Sequence, residues 1–129
     1  MIRDLRPDDL NFILATWLRG LYYGCAWFSQ IPKDIFMSNY RPVIEAILLN
    51  GTTRVACLKD DQDVILGYSV CGREDSVLHW TFVKSSWRGI GVARSLIPPS
   101  VKIVTHLTKI GSGFLRSHPA IVFNPFLIP

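Results

Sequence analysis

Residues 88–93 read Arg-Gly-Ile-Gly-Val-Ala, set between an apolar run at Val77–Val83 and the pair Pro98-Pro99. No other feature narrows the fold as much. The run has the length and composition of a strand, and the two glycines make a tight turn. The prolines cannot donate a helical hydrogen bond, so a helix opening at Gly91 must end by Ile97. Peptide N–H groups at such a helix start lack intrahelical partners and lie at the positive end of its dipole, which suits phosphate oxygens. Gly89 and Gly91 are expected to let the backbone approach a ligand closely. Ala93 keeps that approach free of bulk, while Arg88 and Arg94 add positive charge. A dinucleotide-binding turn would follow the first strand, with an acidic residue about 20 positions on. This turn follows three expected strands, and the Gly-Lys-Ser/Thr of a P-loop is absent.

The rest of the chain supplies a mixed α/β order. Ile2–Leu5 alternates as a short edge strand, and Pro7-Asp8-Asp9 predicts a helix start near Asp8. Phe12, Ile13, Thr16, Trp17 and Gly20 fall at helical spacing, with an end near Gly20 or Gly24. A second helix opens at Pro32-Lys33, with Asn50-Gly51 expected as a left-handed stop. Strands are predicted at Thr53–Leu58, Val64–Cys71 and Val77–Val83, the first two forming a hairpin through Asp60–Asp63. Val101–Leu107 predicts another strand, Thr108–Ser117 a short helix and Ala120–Phe123 a last strand before Pro125.

At 129 residues, one domain is expected, and 49% apolar against 19% charged residues is the balance of a packed protein. The N-terminus carries Asp4, Asp8 and Asp9 where a secretory signal needs basic and then apolar residues. No stretch approaches the roughly 20 apolar residues of a membrane span. Cys25, Cys57 and Cys71 are odd in number and without a CxxC pair, which indicates neither a disulfide framework nor a zinc site and fits a reducing cytoplasm. The formal charge of +4 is scattered along the chain. An anionic cofactor accounts for it, and a nucleic-acid-binding reading rests on charge alone.

The turn resembles the signature Q/R-x-x-G-x-G/A of the GNAT superfamily of N-acetyltransferases, matched by Arg88-Gly89-Ile90-Gly91-Val92-Ala93. The resemblance extends in element order over about residues 1–107 and is specific at motif level over Val83–Leu96. It implies a GNAT-like mixed central β-sheet flanked by helices, with an abbreviated C-terminal part. It also implies acetyl-CoA as acyl donor and a primary amine, on a small molecule or a protein, as acceptor. Backbone groups of Phe82 and Val83 would bond the pantetheine arm as an added strand does. Amides from Arg88 through Gly89, Ile90, Gly91 and Val92 to Ala93 would hold the pyrophosphate. The strands Val77–Val83 and Val101–Leu107 would splay to admit the cofactor. Tyr22, Tyr23, Trp27 and Phe28 lie where the family lines its substrate cleft; such aromatics are more often core or dimer contacts, and a homodimer is expected.

Attack of an amine on a thioester needs a neutral amine, an oxyanion stabiliser and a proton for the departing thiolate. Val77 stands where family members carry a strand base. His79, two residues on and so on the same face, is the candidate catalytic residue, with an ordinary pKa suited to a base. The competing reading is a histidine that only fills a half-buried sheet position. Glu74 and Asp75, in the turn before the strand, are alternatives acting through water. The family's helix tyrosine, a general acid, is replaced by Leu115. Ser112 or His106 would have to donate instead, or the thiolate would leave unaided. An acetyltransferase is therefore the first reading, and a non-catalytic acyl-CoA-binding or interaction module of the same fold the second.

Overall fold

A computed structural model describes residues 1–129. The chain runs β1 (Ile2–Asp4), α1 (Leu10–Gly24), α2 (Ala26–Ser29), α3 (Lys33–Asn50), β2 (Thr52–Cys57), β3 (Ile65–Gly72), β4 (Val77–Val83), α4 (Val92–Leu96), β5 (Ile103–Val104), α5 (Lys109–Ser117) and β6 (Val122–Phe123). The strands form one sheet in sequence order. β1 to β4 are antiparallel, and β5 and β6 are added in parallel. This is the mixed sheet flanked by helices that the sequence predicts. No helix is long and apolar enough to cross a membrane.

Each face of the sheet has its own core. α1 turns Ile13, Leu14, Trp17, Leu18 and Leu21 inward, at the spacing of one helical face. There they meet Phe36, Ile44 and Ile47 of α3 and Val55, Tyr68 and Val70 of the sheet. Trp17 is fully buried and stacks on Trp80, 5.5 Å between ring centroids. On the other face Leu96 of α4 packs on Ala56, Leu66 and Val83. Below it Cys71, Leu78, Val101 and Val104 meet Phe114 and Leu115 of α5.

Two bulges punctuate the sheet. Leu66 is skipped between the pairs Ala56 to Gly67 and Cys57 to Ile65. His79 is skipped between the pairs Val70 to Trp80 and Cys71 to Leu78. A bulge places two successive residues on one face. His79 and Trp80 accordingly both serve the α1/α3 side.

Three expectations need correction. Gly51 does not stop α3 in a left-handed conformation. Its φ of −106° and ψ of −177° are extended, because the chain enters β2 at the next residue. Glycine is required there for another reason, since a Cβ would lie 2.6 Å from the Cys71 carbonyl oxygen. The predicted strand Val101–Leu107 is paired only at Ile103–Val104. The start near Asp8 is a 3-10 turn, Pro7–Asp9, ahead of the α-helix at Leu10. The Asp9 carboxylate accepts from the Arg6 N–H at 2.8 Å and from Arg3 at 2.8 and 2.9 Å.

Candidate active site

β4 and β5 pair only at their bases. Val77 lies opposite Ile103 and Leu78 opposite Val104, and the Thr105 N–H donates to the Leu78 carbonyl at 3.2 Å. Beyond that bond the strands part. The register with β3 decides which backbone groups face the opening. Phe82 lies opposite Tyr68, and the Lys84 N–H donates to the Leu66 carbonyl at 2.8 Å. Antiparallel alternation then sends the N–H and C=O of Phe82 toward β3, and those of Thr81 and Val83 toward the gap. Thr81 therefore holds the strand-pairing position expected of Phe82, which contributes its ring.

A cavity of ≈ 350 Å³ fills the gap, walled by Trp80, Phe82, Val104 and Phe114, with Gly20 and Gly24 of α1 above. Both glycines are set by close approach. A Cβ at Gly20 would lie 3.1 Å from the Trp80 ring, and one at Gly24 3.1 Å from the Thr108 Cβ. Thr81 also lines the cavity, and its hydroxyl is buried without a partner.

The cavity continues into the turn after β4. Val83, Arg88 and Ala93 line both it and a second hollow formed by Trp87 to Arg94. Gly89 and Gly91 have φ of 79° and 89°, in the left-handed region that favours glycine. A Cβ on either would meet no atom of the chain within 4 Å, so within the chain the glycines serve backbone shape. From Gly89 to Arg94 no backbone N–H has a hydrogen-bond partner in the chain. α4 is too short for a large dipole, so these N–H groups and the exposed Arg88 and Arg94 make up the positive character of the turn. The Arg88 side chain also reaches back, its Nε donating to the Val83 carbonyl at 2.9 Å.

The two histidines at the cavity belong to one hydrogen-bonded row. His79 Nδ1 lies 2.9 Å from the Thr105 hydroxyl, which lies 2.9 Å from His106 Nδ1, and His106 Nε2 lies 2.6 Å from the Tyr40 hydroxyl. Trp17, Tyr40 and Trp80 stand edge-on around the His106 ring. Burial pushes His106 down to about 3, helped by repulsion from His79, and pushes His79 below its ordinary value. Both rings are neutral at pH 7. Burial likewise pushes the Tyr40 phenol up to about 12. His79 Nε2 makes no hydrogen bond in the chain and passes over Gly72, where a Cβ would lie only 2.9 Å away.

Other residues singled out from the sequence lie elsewhere. Asp75 is held in a two-pronged pair with Arg54 at 2.7 and 3.0 Å, and Glu74 is exposed. Tyr22, Tyr23, Trp27 and Phe28 do not line the cavity. Tyr22 is buried and donates to the Ile31 carbonyl, Phe28 packs on Phe36 and Tyr40, and Tyr23 and Trp27 face outward. α5 presents Ile110, Gly111 and Phe114 to the cavity, while Leu115 turns into the Cys71, Leu78, Val101 and Val104 cluster. The Ser112 hydroxyl is spent on the Thr108 carbonyl. Thr81, Thr105 and Tyr40 carry no sequence signal. They join the site through a free strand edge and through bonds spanning 26 and 66 residues.

No protein-family model and no curated protein sequence matches the chain. Solved structures do match it, and the fold is that of the GCN5-related N-acetyltransferases. One similar structure is a GCN5-related N-acetyltransferase from Rhodopseudomonas palustris, 20% identical, with a TM-score of 0.54 over 75% of this chain and 60% of that one. A candidate acetyl transferase from Pyrococcus furiosus is 13% identical, with a TM-score of 0.59 over 96% of this chain and 79% of that one. A Corynebacterium glutamicum structure described as a histone acetyltransferase and related acetyltransferase is 18% identical, with a TM-score of 0.52 over 74% of this chain and 66% of that one. The chain thus spans less than two thirds of the first and third of these structures.

Proposed function

We propose that this chain is an acyl-CoA-dependent N-acyltransferase that moves an acetyl group from acetyl-CoA to a primary amine. The observation that carries the proposal is continuity: a free strand edge at Thr81 and Val83 leads directly into the unpartnered N–H groups of Gly89 to Arg94. An amide-bearing arm can bond the first as an added strand. A diphosphate can take the second, with Arg88 and Arg94 balancing its charge. Arg88 must release the Val83 carbonyl as the arm arrives, a small rearrangement for an exposed arginine. When bound, acetyl-CoA supplies the reactive thioester. The chain orients it, excludes water with Trp80, Phe82 and Phe114, and offers His79 as the side chain serving the transfer.

Native mass spectrometry and calorimetry with acetyl-CoA test the reading. One equivalent bound, followed by acetylation within a panel of amines, is expected; no binding by the folded protein overturns it. A second reading, a binding module of the same fold that has lost the chemistry, draws on the lack of any carboxylate at the cavity and on Leu115 facing away from it. Binding without transfer to any amine would select it. A homodimer joined through the outward Tyr23 and Trp27 belongs to the same proposal, and sedimentation tests it.

A further inference from the structure

We propose that Tyr40 of α3 is a positioning residue which, through His106 and Thr105, holds His79 in the tautomer with its proton on Nε2, making His79 a hydrogen-bond donor instead of a base. The part of this that concerns catalysis rests on the function proposed above. The part that concerns proton order stands on geometry alone.

The row has three links, and three orders of its hydrogens make all three bonds. In the first, the Tyr40 hydroxyl donates to His106 Nε2, His106 Nδ1–H donates to Thr105, and the Thr105 hydroxyl donates to His79 Nδ1. The proton of a neutral His79 then sits on Nε2. In the second, every bond is reversed. His79 Nδ1–H donates to Thr105, His106 Nε2–H donates to Tyr40, and the phenol hydrogen is left over. In a third, Tyr40 and His106 donate as in the first while His79 Nδ1–H also donates to Thr105, which strands the hydrogen of a buried hydroxyl. All three orders make three bonds, so what each leaves unpaired decides between them.

The second order strands the Tyr40 hydrogen. The phenol has no other partner in the chain and stands against the rings of Phe28 and Phe36, at 5.4 and 5.3 Å. Tyr40 is half-buried, and stranding its donor costs up to the roughly 1–3 kcal/mol of a buried group without an acceptor. The first order leaves only His79 Nε2–H, which is not fully buried and belongs to a ring that lines the cavity. Acidity agrees, since a phenol gives up its hydrogen more readily than a neutral imidazole does, and a 2.6 Å contact suits a phenol donating to a ring nitrogen. A neutral imidazole can stabilise a developing oxyanion by donating. That role fits a ring that burial keeps uncharged, whereas a base must hold the proton that it takes.

Protein labelled with ¹⁵N at histidine tests the order directly, because protonated and unprotonated ring nitrogens resonate far apart and only His79, His106 and His118 need assignment. The expected result is His79 protonated at Nε2 and His106 at Nδ1. His79 protonated at Nδ1 overturns the proposal whether or not the protein has any activity. Tyr40→Phe keeps the ring and removes the anchor, so the signals of both histidines should shift toward the other tautomer. Unchanged signals in a folded variant remove Tyr40 from the role. If acetyl transfer is found, Tyr40→Phe should lower kcat up to roughly tenfold with KM for acetyl-CoA unchanged, and His79→Ala should lower kcat by roughly 10²–10³-fold, the range for loss of an oxyanion donor. Full activity in His79→Ala overturns the catalytic part and leaves the proton order to the spectra.

Discussion

β4 is entered and left through turns that solve one backbone problem in opposite ways. The turn before it, Arg73-Glu74-Asp75, places three successive residues at φ of 50°, 56° and 64°, with no glycine among them. Ordinary side chains pay a steric cost in that region. Here they are held by the Arg54 pair to Asp75, by the Ser76 hydroxyl on the Arg73 carbonyl and by the Ser100 hydroxyl on the Asp75 carbonyl. The turn after β4 reaches the same region with Gly89 and Gly91, and nothing in the chain holds its N–H groups. A strained turn with its polar groups engaged works as a clamp. A relaxed turn with its donors free is the one that the proposed function assigns to the diphosphate.

Gly91→Glu should have the largest effect. It sets a carboxylate against the bound diphosphate and should weaken acetyl-CoA by roughly a hundredfold or more, as expected for like charges a few ångströms apart. Calorimetry on the folded variant decides it, and unchanged affinity would mean that the open turn is no anion site. Gly89→Ala should come next, costing about 1–2 kcal/mol in a urea titration because its φ of 79° disfavours a Cβ. Asp75→Asn keeps the shape of the clamp and removes its charge. A loss of about 1 kcal/mol is expected for a partly exposed pair, with affinity for acetyl-CoA untouched. A change in that affinity would erase the division between the turns. Glu74→Gly should be the mildest and of opposite sign, raising stability by about 0.5–1 kcal/mol by relieving the middle strained residue. A decrease instead would show that the strain is smaller than the dihedral angles imply.

The same contrast explains what the sequence disclosed. β4 was legible to the residue because an apolar run lay between two turns, and the open turn was legible because glycine spacing is a local signal. Val101–Leu107 reads as a full strand by composition, yet pairing ends where Thr105 and His106 are drawn into the row leading to Tyr40. That row joins α3, β4 and the segment after β5, and no local pattern encodes such a meeting. Leu115 was misplaced for a related reason: which face of α5 meets the cavity depends on the packing of its neighbours against Leu78 and Val104. The three left-handed residues before β4 gave no warning at all, since no glycine marks them.

His79 occupies the bulge of β4, which has a consequence for how such a chain can change length. With Leu78 opposite Cys71 and Trp80 opposite Val70, His79 is the one residue of the strand that the ladder does not count. Deleting Leu78 or Trp80 would close the ladder, but with His79 in place of a side chain that packs on one of the cores. Deleting His79 would close the ladder and leave every other residue facing as before. A histidine carried in this way can be gained or lost in a single insertion or deletion without rebuilding either core, so the chemistry of the strand can vary while the sheet around it stays the same.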